Sequence, residues 1–205
     1  MGETEDKIRT PQQERSIRTK EAIIRAAMQL FSDKGFYQTN TKEIAAAAGV
    51  STGSFYSYFV DKRAVFIEVL HMYGDELMAE VERSMAEINF NTIERTDLIL
   101  HLIDTLLLSH KAFIGYHKDL NIMYHSDEAI KQLMDAQYEA GRLKTLTYLQ
   151  MGQDELKTED TEAASIIVFE SVSAIVDFIS FSPQRIAVDR LKSELVHMLV
   201  QYLYK

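Results

Sequence analysis

From Arg18 onward apolar residues fall at helical spacing: Ile23, Ala27, Leu30 and Phe31 share one face. The run stops at Gly35, where a left-handed C-terminal cap costs least, with Phe36 placed to fold back on the last turn. This predicts a helix over residues 18–34. Asn40 followed three residues later by Glu43 forms a variant of the capping box and opens a short, alanine-rich helix. Gly49 ends that helix, and Ser51 caps another almost at once. Asp61 then caps a longer helix, 62–86, whose apolar positions Val65, Val69, Leu70, Tyr73, Leu77 and Val81 recur at threes and fours.

The pattern stays helical to the end. Leu98, Leu102, Ile103 and Leu106 predict a helix reaching about residue 113, and a short one covers 118–124. Ser126, Asp127 and Glu128 start another that runs to Gly152. Residues 161–181 are dense in Ile, Val and Phe, as strands are. So long a stretch without a turn signal exceeds a normal strand, so a buried helix is expected. Pro183 is expected near the first turn of a last helix ending about Tyr204. Residues 1–15 are polar, contain Pro11 and have no apolar period, which predicts a disordered arm. The fold class is all-α, with about nine helices.

Composition narrows the function classes. Eight Gly and two Pro in 205 residues leave few turns for a chain of many short strands. The absence of Cys removes disulfides, thiolate metal sites and cysteine nucleophiles, and suits a reducing, cytoplasmic setting. No leader pattern opens the chain. Each apolar stretch meets a charge or His short of the ~20 residues of a bilayer span, so no membrane partner is expected. Met1-Gly2 resembles a myristoylation start, but Asp6 stands where that pattern needs Ser or Thr. The net charge of −9 is unevenly placed: residues 1–70 carry ten Lys and Arg against nine Asp and Glu, and the remainder twelve against twenty-two. Only the first part suits approach to a polyanion.

The most specific feature is the block GFYQTNTKEIAAAAGVSTGSFYSYFVDKRAVF, from Gly35 to Phe66. A helix, a tight turn with glycine and a second helix opening with small hydroxyl residues is the arrangement that fits a major groove about 12 Å wide. Gly35 plus an aromatic, Ile44-Ala45, Ala48-Gly49-Val50-Ser51, Gly53, Phe55-Tyr56, Tyr58-Phe59 and Lys62 stand in the register of the TetR (tetracycline repressor) family, which the block resembles. The resemblance covers roughly residues 20–70. It implies a helix-turn-helix DNA-binding domain over residues 16–60 and a helical ligand-binding and dimerisation domain over 61–205. It also implies a homodimeric repressor of a palindromic double-stranded DNA operator, released by a small-molecule effector. The long helix 62–86 would carry movement between the two domains.

Carried over position by position, the recognition helix is residues 52–59, with contacts at Thr52, Gly53, Ser54, Tyr56 and Tyr58. Thr41, Lys42 and Lys62 match phosphate-contacting positions, and Arg15, Arg18 and Lys20 are candidates to extend that footprint. Hydroxyls and ammoniums suit phosphate oxygens, and a glycine admits close backbone approach. Residues 52–59 contain no Arg, Asn or Gln, so readout there rests on thymine methyls, water and DNA shape. Phe55 and Phe59, four apart, are expected in the core.

A second function class competes. Glu68-x-x-His71 and Glu194-x-x-His197 have the spacing that helical bundles use for a di-iron oxidase. With 18 Glu and 6 His, roughly half such a motif arises by chance, and both pairs continue along polar stripes. They are read as solvated faces, and no metal, cofactor or enzyme activity is expected.

Within 161–181, Glu170, Ser173, Ala174 and Asp177 line one face of an apolar helix, where carboxylates serve a cationic ligand, a dimer contact or a rim. Phe113, Tyr116, Met123, Tyr124, Met134, Tyr138 and Phe169 are the candidates to line an effector cavity along with Glu170 and Asp177. The stripe Ile186, Leu191, Leu195, Leu199 and Leu203 is the expected dimer interface, pairing with its copy as a four-helix bundle.

Overall fold

The computed structural model describes residues 11–89, 92–111, 115 and 117–205. Among them are nine α-helices: α1 (Pro11–Lys34), α2 (Thr41–Ala47), α3 (Thr52–Tyr56), α4 (Lys62–Ala86), α5 (Arg95–His110), α6 (His117–Ser126), α7 (Glu128–Met151), α8 (Thr161–Phe181) and α9 (Val188–Leu203). The described residues hold no strand, and a single isolated bridge joins Leu156 to Tyr204. The chain divides into two compact units between His71 and Met72, inside α4 rather than at its start.

Several boundaries move. α1 begins at Pro11, so residues 11–15, expected in a disordered arm, are helical; residues 1–10 of that arm lie outside the described residues. Proline suits a first turn because its missing N–H has no partner there, and a solvated turn leaves no apolar period to detect. α3, the helix expected over residues 52–59, is only five residues long, with Ser57 as its C-cap. α9 starts at Val188, so Pro183 precedes it instead of opening it.

In the N-terminal unit, Ile23, Ile24, Ala27 and Phe31 of α1 are buried with Ile44, Ala45, Phe55, Phe59, Val65, Phe66, Val69 and Leu70. Phe31, Phe36 and Phe66 form an aromatic centre, with ring centroids 4.9 to 5.5 Å apart. Phe55 and Phe59 are core residues, as their spacing predicts.

In the C-terminal unit α8 packs on α5, α7 and α9. Ala164, Val168, Val172 and Val176 of α8 share a core with Ile99, Ile103, Leu149 and Leu156, and with Leu195, Val196, Leu199 and Leu203 of α9. This corrects the expected dimer stripe: Leu195, Leu199 and Leu203 are buried within their own chain. Leu191 is partly buried there, and Ile186 is exposed ahead of α9. An apolar period locates a face that leaves water, but it does not say whether the chain itself or a copy covers that face.

Charges interrupt α8 as expected. By length and composition it is apolar enough to cross a membrane, at a mean hydropathy of 1.8, although Glu162, Glu170 and Asp177 punctuate it. Its inner face is core. The outward surfaces of α8 and α9 keep Ile166, Ile167, Phe178, Met198 and Tyr202 between 36% and 47% exposed.

Candidate nucleic-acid interface

The local sequence sets the helix-turn-helix geometry. Asn40 Oδ1 accepts from the Lys42 and Glu43 amides, and the Glu43 carboxylate accepts from the Asn40 amide at 3.0 Å, closing the capping box at the start of α2. Ser51 Oγ accepts from Ser54 N–H and so opens α3. Gly35 and Gly49 adopt φ of 84° and 69°, a left-handed conformation that favours glycine, and these two positions carry the turns before α2 and before α3. Lys34 pairs with Glu43 at 2.7 Å and secures the end of α1 to α2. The same contact, with the Asn40 amide, holds the Glu43 carboxyl below its ordinary value.

On this frame Lys42, Gly53 and Tyr56 are exposed, and Thr41, Thr52, Ser54 and Tyr58 are partly so. The hydroxyls of Thr41 and Tyr56 are 3.1 Å apart, which brings the first residue of α2 to the last of α3. Nothing inside the protein requires a glycine at 53: an added Cβ meets only Ser51 Oγ, at 3.8 Å.

Lys62 is placed differently from its neighbours. Its Nζ donates to the carbonyls of Phe36 at 2.7 Å and Thr39 at 2.8 Å and lies 4.2 Å from the centre of the Phe36 ring. The first residue of α4 is thereby fastened to the turn between α1 and α2. Lys20 is likewise engaged, with Glu68 at 2.7 Å, while Arg15 and Arg18 are exposed.

Residues 23–69 match the family described as bacterial regulatory proteins, tetR family. That stretch is a TetR-family domain. Among curated TetR-like relatives, it is 27% identical to the uncharacterised HTH-type transcriptional regulator YdgC of Bacillus subtilis (strain 168), over 52% of each chain. It is 23% identical to the HTH-type transcriptional regulator AcrR of Shigella flexneri, over 89% of this chain and 88% of that one. The chain spans about half or less of the length of the first curated relatives it matches. Its fold is that of a protein from Mesorhizobium loti assigned to the TetR-family transcriptional regulators, with a TM-score of 0.71 at 20% identity, covering 93% of this chain and 99% of that one.

The expected effector residues separate. Phe113 and Tyr116 lie outside the described residues. Met123 is buried and Met134 partly so, whereas the Tyr124 hydroxyl donates to Asp135 at 2.7 Å on the surface. Tyr138, Phe169 and Asp177 do come near one another: the Tyr138 and Phe169 rings meet edge-on at 5.7 Å, and burial followed by the Asp177 charge raises the Tyr138 phenol to about 12. Gly141 makes room for this, since a Cβ there would stand 2.5 Å from the Phe169 ring. Glu170 is exposed. Sequence reasoning missed Tyr73, His110, His117 and Phe181, which gather around Asp177 from α4, α5, α6 and α8; contacts so distant along the chain leave no periodic signal. Glu68 is engaged with Lys20, and Glu194 and His197 sit on the exposed face of α9, as polar stripes do.

Proposed function

We propose that the chain is a DNA-binding transcriptional regulator that acts as a homodimer on a palindromic duplex and is released by a small molecule held in residues 72–205. The observation that carries this reading is the capped α2–turn–α3 unit, whose outward face offers Thr41, Lys42, Thr52, Gly53, Ser54, Tyr56 and Tyr58 within a TetR-family match. Exposed hydroxyls and an ammonium suit phosphate oxygens, and a short helix with small N-terminal residues suits the floor of a major groove. Lys62 serves this surface by positioning: its two carbonyl contacts hold the turn that aims α2. Operator and DNA place the working site in the cytoplasm.

Dimerisation follows from the outward faces of α8 and α9. Ile166, Ile167, Phe178, Met198 and Tyr202 leave about two fifths of their surface exposed on these two helices, and a second copy of the same pair completes a four-helix bundle. Selection from a random duplex library, with binding followed by fluorescence anisotropy, tests the function. Enrichment of a two-fold symmetric site with half-sites one or more helical turns apart is expected. A library that yields no such site overturns the reading.

A further inference from the structure

The His110 ring poses a problem that its surroundings answer. Nδ1 lies 2.8 Å from the carbonyl oxygen of Leu106, which only accepts, so Nδ1 carries a hydrogen. Nε2 lies 3.3 Å from the carboxylate of Asp177. In the neutral ring with hydrogen on Nδ1, Nε2 is an acceptor, and two acceptors face each other. The arrangement is satisfied only with positive charge between helix α5 and helix α8, either as a proton on Nε2 or as a cation from outside.

The neighbouring groups favour a cation, and among the described ion pairs only the His110 ring stands to supply one. Besides His110, the Tyr73 and Tyr138 phenols and the His117 imidazole lie near enough to Asp177 for its charge to act on them. Burial and then the Asp177 charge push the Tyr73 phenol well above its ordinary value. Burial, followed by the charges of Asp177 and Glu170, pushes Tyr138 up to about 12, so both remain neutral hydroxyls. Burial holds His117 below the usual imidazole value against the pull of Asp177, with His110 adding to the lowering. Among the described ion pairs, His110 is the partner of Asp177, and no Lys or Arg reaches it. Rings wall the carboxylate: His117 stacks on Phe181 at 3.6 Å, and Tyr73 meets His110 edge-on at 6.4 Å. The carboxylate side chain is 36% exposed, so it is within reach of a solute.

A carboxylate framed by neutral aromatic rings is the environment that recognises an organic ammonium, through direct charge and through the negative faces of the rings. We infer that Asp177, with Tyr73, Tyr138, His110, His117 and Phe181, forms a binding site for a small organic monocation, which replaces the His110 proton as the countercharge. The inference rests on the effector-binding role proposed for residues 72–205 and names the chemical class of that effector. Because the ligand and the proton compete for one carboxylate, binding releases a proton and weakens as pH falls. His117 acts in the same direction once protonated, while Tyr73 and Tyr138, both raised chiefly by burial, stay neutral between pH 6 and 8.

The full chain titrated calorimetrically with benzyltrimethylammonium, benzyl alcohol and benzoate tests this. Saturable binding of the ammonium alone is expected, about tenfold or more weaker in Asp177→Asn. Its affinity should fall with pH by up to about tenfold per unit, and buffers of different ionisation heat should reveal the released proton. His110→Gln, which cannot be protonated, should bind the ammonium and lose most of that proton release. Equal binding of benzoate, no saturable ammonium binding, or unchanged affinity in an Asp177→Asn protein with the wild-type circular dichroism overturns the site. If Asp177→Asn does not fold, unchanged proton release in His110→Gln overturns it. Operator binding measured on the same protein separates the two readings. A chain that binds its operator but no ammonium loses only the cation site, and one that binds the ammonium but selects no operator loses only the regulator role.

Discussion

The hydroxyls of Thr41 and Tyr56 stand 3.1 Å apart, one at the start of α2 and one at the end of α3. Each helix of the pair thus presents a polar oxygen at the same point of the surface, where the proposed function puts a DNA phosphate. Tyr56→Phe removes one donor and leaves the ring, which lies edge-on to Phe55 at 5.3 Å, in place. Loss of a neutral hydrogen bond of about 1 kcal/mol weakens DNA binding about fivefold, equally for all sequences. Anisotropy titrations against the selected operator and a scrambled duplex check this; a change confined to the operator assigns Tyr56 to base readout instead.

Gly53 separates a folding role from a binding role. Its added Cβ meets open space apart from Ser51 Oγ, and alanine is the better helix former by about 1 kcal/mol. Gly53→Ala is expected to keep or raise the urea midpoint while operator affinity drops, because the methyl then stands between the backbone and the DNA. Undiminished affinity removes close backbone approach from the binding scheme.

Lys62→Ala strips the donor from the Phe36 and Thr39 carbonyls and the stem from the Phe36 ring. A loss of about 1 to 3 kcal/mol in urea unfolding is expected, together with weaker DNA binding. Lys62→Met keeps the stem but not the donor, and so recovers part of the stability. A variant with unchanged stability and reduced DNA affinity would return Lys62 to direct phosphate contact.

The two faces of α9 predict opposite outcomes. Leu199→Ala opens a cavity in the intrachain core and should cost about 2 to 5 kcal/mol in stability. Met198→Glu, alone or with Ile166→Glu, leaves the monomer folded and puts uncompensated charge into the proposed dimer. Sedimentation velocity should find a monomer with native helicity by circular dichroism. A dimer that survives both charges places the interface elsewhere.

Glu43 sets an acid limit on the helix-turn-helix. Its carboxyl titrates lower in the folded chain than in the unfolded one, chiefly through the Lys34 hydrogen bond and then the Asn40 amide. The stabilisation it gives is therefore present above the unfolded value of about 4.3 and is lost as pH falls through the lower folded value. Melting curves between pH 6 and 3 should show wild type losing stability that Glu43→Gln, lacking the charge at every pH, does not lose. Parallel curves would show that the pair with Lys34 adds nothing.

Local rules explain why so much of the helix-turn-helix is legible along the chain. Asn40 and Ser51 cap helices that begin one residue later, and the glycines at 35 and 49 stand where a left-handed turn is required. Each of these effects acts within a few residues. The α1 start at Pro11 escaped notice because a solvated helical turn has no apolar signature. Lys62 is named by the register, but its carbonyl contacts leave no local signal, because the partners lie more than twenty residues upstream.

Sequence alone therefore determined the helix count, the family-bearing register from Gly35 to Phe66 and the outward hydroxyls of α2 and α3, because caps, turns and amphipathic period are local properties. Tertiary structure decided which apolar residues of α9 are core and which stay exposed, since burial depends on what lies opposite. It also decided that His110, Tyr138 and Asp177, from three helices, meet. Their charges interact through space, at distances the order of residues does not encode.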